Sequence, residues 1–110
     1  SQQSDLERLL CNLSRVMKTN ALMWCNFRTP EDDLIKNGLE VDKNFYVVKF
    51  RNSDANVGYF SCSQNELSDL FEKAGFAVIS SDIFEFTANN QQVHNSWFVL
   101  NVRKNGKNPC

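Results

Sequence analysis

Few residues in this 110-residue chain have side chains that could do chemistry. The single histidine, His94, lies in a predicted loop or strand end, where a histidine is more often a surface residue than a general base. The four glycines are isolated, so the sequence contains no Gly-rich loop that could hold a phosphate. Neither a Ser/His/Asp nor a Cys/His arrangement can be assembled with any specificity.

The four cysteines do not indicate a metal site, since none forms a C-x-x-C pair and only one histidine is present. Cys11 lies in a predicted helix and Cys25 in a predicted strand, which is typical of buried free thiols in a reducing compartment. No apolar run approaches the roughly 20 residues that cross a bilayer, and the polar N-terminus does not resemble a secretory signal. We therefore expect an intracellular protein, most simply cytoplasmic, that binds neither a metal nor a membrane.

The acidic run in Thr29-Pro30-Glu31-Asp32-Asp33 admits two interpretations. Paired carboxylates could bind a metal or transfer protons, but no histidine stands near them. A hydroxyl cap, a proline in the first turn and carboxylates at the positive end of the dipole together describe a helix start. Capping accounts for all of these residues, and we expect a short helix that ends by Gly38.

Composition and charge indicate an ordinary small domain. The chain is 42% hydrophobic and 23% charged, and its net charge of -1 gives no overall signal for nucleic-acid binding. We expect one domain over residues 1–104 and a mobile tail over 105–110.

Two helices are predicted from capping boxes followed by apolar stripes. Ser4 and Glu7 precede a helix from about Asp5 to Lys18. Ser63 and Glu66 precede a second one, which carries Leu67, Leu70, Phe71 and Ala74 and ends where Gly75 fits the left-handed position.

The strands complete the order helix-strand-helix-hairpin-helix-strand-strand. The predicted strands are Leu22 to Cys25, a hairpin of Phe45–Phe50 and Val57–Phe60, Phe76 to Ile79 with a continuation over Ile83, Phe84 and Phe86, and Trp97 to Val102. The first of these is wholly apolar and does not alternate, so we expect it to be covered on both faces. Because the chain supplies few neighbours for it, it would be left as an apolar edge that something else covers.

Several segments resemble S-adenosylmethionine-dependent methyltransferases of class I. The stretch Leu10-Cys11-Asn12-Leu13-Ser14-Arg15-Val16-Met17-Lys18 is similar to the helix before strand five of that fold. Asn44-Phe45-Tyr46-Val47, Tyr59-Phe60-Ser61 and the helix from Glu66 to Phe76 resemble the family that makes 3-methylcytidine in transfer RNA. The resemblance implies an α/β fold that is the C-terminal half of a Rossmann-like domain, in which the last strand runs antiparallel between the two strands before it.

The same resemblance implies a function and a site. The chain would be part of a transfer RNA cytidine methyltransferase that lacks the cofactor-binding half, so S-adenosylmethionine would bind only if that half is supplied. The target base would lie near two groups of substrate-binding residues, which are Asn26, Phe27 and Arg28, and Asn44, Phe45 and Tyr46. Stacking of the base on Phe27, Phe45 or Tyr46 is chemically plausible, and core packing is the alternative role for Phe45 and Tyr46.

The sequence also departs from that family. Lys18-Thr19-Asn20-Ala21 stands where the family has Lys-Pro-Gly-Gly, and Asn26-Phe27-Arg28-Thr29 replaces an Arg-Asp-Tyr-Gly signature. Two alternatives therefore stay open, a non-catalytic methyltransferase-like module that binds a protein or RNA partner, and a free-standing α+β interaction domain. In every case we expect a partner, either a second chain or missing half that completes the sheet, or another copy of this chain.

Overall fold

The computed structural model describes residues 2–49, 56–88, 90 and 92–106. The elements follow the expected order with one additional strand. They are α1 (Gln2–Val16), β1 (Leu22–Arg28), α2 (Asp33–Lys36), β2 (Leu39–Asp42), β3 (Phe45–Lys49), β4 (Asn56–Phe60), α3 (Gln64–Lys73), β5 (Phe76–Ala88) and β6 (Val93–Lys104).

The strands form two three-stranded sheets. In the first, which we call the main sheet, the order is β1-β6-β5, and β6 pairs antiparallel with both neighbours. The last strand therefore lies between β1 and β5, and these two strands run parallel to each other. The second, which we call the hairpin sheet, has the order β2-β3-β4 and is antiparallel throughout.

Both long helices pack on one face of the main sheet, which we call the inner face. Phe98, Leu100 and Val102 of β6 are buried there. Leu10 of α1 and Phe71 of α3 join the same buried cluster. The hydrophobic core therefore occupies the space between the inner face and the two helices.

The limits of α3 confirm the prediction from its capping signals. The Ser63 hydroxyl accepts a hydrogen bond from the amide of Glu66 at 3.2 Å and donates one to the Glu66 carboxylate. At the other end Gly75 adopts a φ of 94°, the left-handed conformation that a side chain disfavours. Phe76 follows at the start of β5 and is fully buried.

The capping prediction for α1 is wrong, and one cysteine differs from expectation. The helix begins at Gln2, so Ser4 lies inside its first turns rather than at its cap. Cys11 takes part in a disulfide bond, and the prediction of a free thiol at this position is therefore wrong. Cys25 is free, as predicted, and half-buried, and Cys62 is free and buried.

The N-cap residue of α2 also differs from the prediction. Asp32, not Thr29, is the N-cap residue, and its carboxylate accepts a hydrogen bond from the amide of Leu34. Thr29 instead lies in the preceding turn, where its hydroxyl accepts a hydrogen bond from the amide of Glu31. The helix itself is short and ends before Gly38, as predicted.

Strand β1 is not covered on both faces by the described part of the chain. Its burial alternates, and Leu22 and Trp24 are 58% and 66% exposed. These two side chains lie with Asn26 on the face opposite the helices, which we call the outer face. The strand is also an edge of the main sheet, as the sequence predicted.

The C-terminal strands are longer than predicted. Strand β5 runs without a break through Ser80-Ser81-Asp82, with a register shift between Val78 and Ser80. Strand β6 extends to Lys104, which is buried, and the amide of Asn105 donates to the carbonyl of Gly75. Residues 107–110 of the predicted tail and residues 50–55 of the hairpin tip lie outside the described residues. Among the helices that are described, none is both long and apolar enough to cross a membrane.

Candidate functional site

The carboxyl end of β1 holds a cluster of charged and aromatic side chains around Arg28. Its guanidinium lies 4.1 Å from the ring centre of Trp97 on β6 and 5.4 Å from that of Tyr59 on β4. It also donates to the Asp32 carboxylate at 2.9 Å. Arg28 therefore joins the main sheet to the hairpin sheet through cation–π contacts and an ion pair.

Asp32 is the buried anchor of this cluster. Its Oδ1 accepts from the amide of Leu34 at 3.0 Å, and its Oδ2 accepts from the amide of Ser96 at 2.8 Å as well as from Arg28. The residue has no solvent exposure, so the Arg28 guanidinium and the two amides take the place of water around its charge. The capping interpretation of the acidic run is therefore correct for Asp32, and the ion pair with Arg28 adds to it.

An open groove on the outer face lies beside this cluster and has a volume of about 260 Å³. Trp97 forms part of its wall, and the other lining residues are Asn26, Phe84, Phe86 and Val99. The rings of Phe84 and Phe86 lie 5.8 Å apart at a tilt of 50°. Aromatic walls of this kind can stack on a flat heteroaromatic ring, and the Asn26 amide offers both a donor and an acceptor. We call these five residues the aromatic groove.

The predicted stacking residues Phe27 and Phe45 lie in a chain of packed rings. Phe27 contacts Phe71 edge-to-face, with 5.9 Å between ring centres, and contacts Phe60 in the same way at 6.4 Å. Phe45 also packs on Phe60, with 5.2 Å between the ring centres. These contacts give both rings a packing role between the hairpin sheet and the core.

The remaining predicted residues are Asn44, in the turn between β2 and β3, and Tyr46 on β3, and both lie near Glu40 and Glu66. Asn44 has a φ of 62°, its amide donates to Glu40 at 3.2 Å, and its side chain donates to Glu66 at 3.2 Å. Burial raises the pKa of the Tyr46 hydroxyl, and its hydrogen bond to Glu40 raises that pKa further. Of the six predicted residues, Arg28 lies in the cluster and Asn26 lines the groove. Phe27 and Phe45 pack against other rings, and Asn44 and Tyr46 both interact with Glu40.

His94 makes surface contacts at the same end of the sheet. Its amide donates to Asp33 at 2.7 Å, its Nδ1 lies 3.2 Å from the carbonyl oxygen of Glu31, and its Nε2 lies 3.8 Å from Glu85. No group of three or more potential ligands that could hold a metal occurs in the described ranges.

Sequence reasoning missed the residues that surround Arg28. The sequence pattern indicates helix capping for Asp32 and a strand position for Trp97, and neither pattern indicates a contact with Arg28. The missed signal is alternation along β6, where Trp97, Val99 and Asn101 recur every second residue opposite the buried set. Period-two alternation places such residues on one face of a sheet, and here that face is the outer one.

S-adenosylmethionine does not fit the described residues of this chain by themselves. A nucleoside donor calls for a glycine-rich turn at a helix N-terminus and a free carboxylate for its ribose hydroxyls. At the carboxyl end of β1 the Asp32 carboxylate is already taken by three donors, and Asp33 accepts from His94. The aromatic groove offers one amide and no carboxylate among its lining residues.

Comparisons with known proteins place the fold. No family model matches the sequence, and no curated protein matches it either. Among solved structures, the chain resembles the crystal structure of a SAM-dependent methyltransferase from Methanosarcina mazei, with a TM-score of 0.74 and 12% sequence identity. The match covers 96% of this chain and 53% of that protein. The chain therefore has a mixed α/β fold like that of a methyltransferase, and it spans about half the length of the structure it matches.

Proposed function

We propose that this chain is the target-side part of an S-adenosylmethionine-dependent RNA methyltransferase that acts on cytidine in transfer RNA. The observation that carries the proposal is the match of nearly the whole chain to about half of a methyltransferase structure. The choice of cytidine in transfer RNA as the substrate rests on the hairpin and helix segments that resemble the 3-methylcytidine family. In this proposal the chain is the C-terminal half of a Rossmann-like domain, and the methyl donor is held by a part of the protein that these residues do not form.

The role of this chain would be to hold the target base. In an open α/β sheet, ligands bind outside the carboxyl ends of the parallel strands, and here those are the ends of β1 and β5. The aromatic groove lies near those strand ends. Its rings could stack on a flat base, and the Asn26 amide could form hydrogen bonds with the polar atoms of that base. Arg28 would support the groove by holding Trp97 in place, because its guanidinium lies over the face of that ring at 4.1 Å from its centre.

A methylation assay with purified protein tests this proposal. The product of the gene that encodes this chain is incubated with S-adenosylmethionine and transfer RNA, and 3-methylcytidine is measured by mass spectrometry. We expect Asn26→Ala to raise the KM for transfer RNA about tenfold, the effect of losing on the order of one hydrogen bond. Val16→Ser, at an 81% exposed position on α1, serves as the control and should leave KM unchanged.

Isothermal titration then separates the donor site from the target site. The 110-residue chain alone should show no binding of S-adenosylmethionine at micromolar concentration. Measurable micromolar binding would overturn the inference that the donor is held elsewhere. Absence of methylated cytidine with every transfer RNA tested would overturn the proposed reaction.

A second function, a non-catalytic module that binds an RNA or protein partner, is favoured by one feature of the site. The charge of Arg28 is already balanced inside the chain by Asp32, and its side chain is only 15% exposed. An arginine in that state offers little charge to a substrate. Binding of transfer RNA in a gel-shift assay without methyl transfer would support this second function over the first.

A further inference from the structure

We propose that Asp82 selects the base that enters the aromatic groove, by accepting a hydrogen bond from the exocyclic amino group of cytosine. This inference rests on the proposed function, since it names the residue that distinguishes cytidine from uridine at the proposed target site. Asp82 lies on β5 and is exposed. The five residues that line the groove carry no charge, so a carboxylate beside them would favour ligands with a hydrogen-bond donor at that position.

The register of the main sheet places Asp82 at the rim of the groove. Val99 on the central strand β6 pairs with Asn26 on one side and with Asp82 on the other. Directly opposed residues of a sheet project from the same face, and Asn26 and Val99 both line the groove on the outer face. The next pair along β5 and β6 is Phe84 with Trp97, whose rings form the aromatic wall. Asp82 therefore lies on the outer face beside Val99 and across it from Asn26.

The spacing of the two polar side chains matches the width of a single pyrimidine ring. Neighbouring strands lie about 4.8 Å apart, so Asn26 and Asp82 project from strands that are about 10 Å apart, with β6 between them. A hydrogen bond of about 2.9 Å from each side chain leaves about 4 Å for the ligand. The amino and carbonyl groups at opposite ends of one six-membered ring are separated by a distance of this order. A pyrimidine that lies over Val99 could therefore contact both residues at once.

The Asp82 carboxylate is available to a ligand. Among the described residues it has no hydrogen-bond or ion-pair partner. Glu85, the next acid along β5, instead accepts a hydrogen bond from the Ser96 hydroxyl and lies 3.8 Å from His94. The Arg28 guanidinium at the same end of the sheet is already paired with the buried Asp32. Asp82 therefore keeps its acceptor atoms and its charge for a group that enters the groove.

A group that can only accept hydrogen bonds distinguishes cytosine from uracil. Cytosine carries an amino donor at C4, and aspartate accepts from this group in protein complexes with nucleic acids. Uracil has a carbonyl oxygen at that position, which would face the carboxylate with neither group able to donate. At the other end of the ring both bases carry a carbonyl oxygen, to which the Asn26 amide could donate. The preference for cytosine therefore depends on Asp82, whereas Asn26 and the rings would bind either base.

Protection of the sheet edge is the other role open to Asp82. Strand β5 lies at an edge of the main sheet, and a charged side chain on an edge strand opposes pairing with another chain. That role requires the charge but gives no preference between bases. A substitution that removes the charge would then affect self-association and leave the preference for cytidine unchanged.

Titration of the 110-residue chain with cytidine and uridine, followed by the NMR signal of the Trp97 indole N–H, tests the inference. We expect the Kd for cytidine to be at least about tenfold lower than that for uridine, because a hydrogen bond to a charged acceptor is gained with one and lost with the other. In Asp82→Asn the two Kd values should lie within about twofold of each other, because an amide can turn either a donor or an acceptor to the ring. Asp69→Asn is the matched control, since Asp69 is an exposed acid on α3, and it should keep the wild-type ratio.

Three results would overturn the role of Asp82. They are equal Kd values for the two nucleosides in the wild type, a preference for cytidine that Asp82→Asn retains, and no binding of either nucleoside at millimolar concentration. Self-association of Asp82→Asn with an unchanged preference would assign Asp82 to edge protection alone.

Methylation by the product of the gene separates this inference from the proposed function. If 3-methylcytidine is formed in transfer RNA and Asp82→Asn changes KM no more than Asp69→Asn does, the proposed function stands and the role of Asp82 is rejected. If Asp82→Asn abolishes the preference for cytidine while no transfer RNA is methylated, the role of Asp82 stands and the proposed reaction is rejected.

Discussion

The substitution Asp32→Asn tests whether the buried carboxylate holds the cluster at the end of β1 together. Asparagine keeps the size of the side chain and one oxygen, but it replaces the other oxygen by an NH₂ donor and removes the charge. In the folded chain the replaced oxygen faces the Ser96 amide and the Arg28 guanidinium, which are both donors. In the variant the new NH₂ group therefore faces two other hydrogen-bond donors, the Ser96 amide and the Arg28 guanidinium, and Arg28 loses its counter-charge.

The expected loss of stability follows from this geometry. Removing one partner of a buried ion pair costs about 3–5 kcal/mol. We expect the lower end, about 3 kcal/mol, because Arg28 is 15% exposed and can recover some hydration, and because the remaining oxygen can still cap Leu34. A small domain loses about 4–8 °C of melting temperature per kcal/mol, so a loss of about 3 kcal/mol should lower the melting temperature by about 12–24 °C.

The assay is urea-induced unfolding of the 110-residue chain, followed by far-ultraviolet circular dichroism. Glu31→Gln is the matched control, because Glu31 is a neighbouring acid whose pair with Lys36, 3.1 Å long, is largely exposed. That control should lose less than about 1 kcal/mol. A loss in Asp32→Asn as small as that of the control would refute the assignment of Asp32 as the anchor of Arg28.

Two further predictions concern Cys62 and Gly75. Burial raises the pKa of the Cys62 thiol from 9.0 to about 12, and the charge of Glu66 adds to the shift. The folded state therefore keeps the thiol neutral while the unfolded chain ionises, so the contribution of Cys62 to stability should be constant below pH 9.0 and fall towards pH 12. Cys62→Ala should remove part of this decline in unfolding experiments, and equal slopes would contradict it. Gly75→Ala should cost about 1–2 kcal/mol because of its φ of 94°, while Gly58→Ala, with open space around it, should change stability by less than about 0.5 kcal/mol.

Local signals predicted the elements well where a short stretch fixes the conformation. The capping box at Ser63 and the glycine at position 75 act within one or two turns, and the limits of α3 followed from them. The same signal misled at Ser4, because α1 extends one turn further towards the N-terminus than a cap there would allow. A capping pattern shows where a helix can start, and the surrounding contacts decide whether it does.

Features that depend on distant pairing were not predictable from the sequence. Strand β2, Leu39–Asp42, is mostly exposed and was missed, since it exists through its pairing with β3. The hydrogen bond from the Ser96 amide to Asp32 joins residues 64 positions apart in sequence, and no local sequence pattern predicts it. The aromatic groove likewise needs the register of three strands, so only Asn26 among its lining residues was predicted as part of a site.

The position of β6 has a consequence for how the chain reaches its native state. The strand is last in sequence but central in the main sheet, and its buried Lys104 reaches back to the carbonyls of Ser14 and Met17 at the end of α1. Within the described residues, β1 and β5 pair with β6 and not with each other. During synthesis on the ribosome, the sheet that joins β1 to β5 can therefore form only after the segment ending at Lys104 has left the exit tunnel.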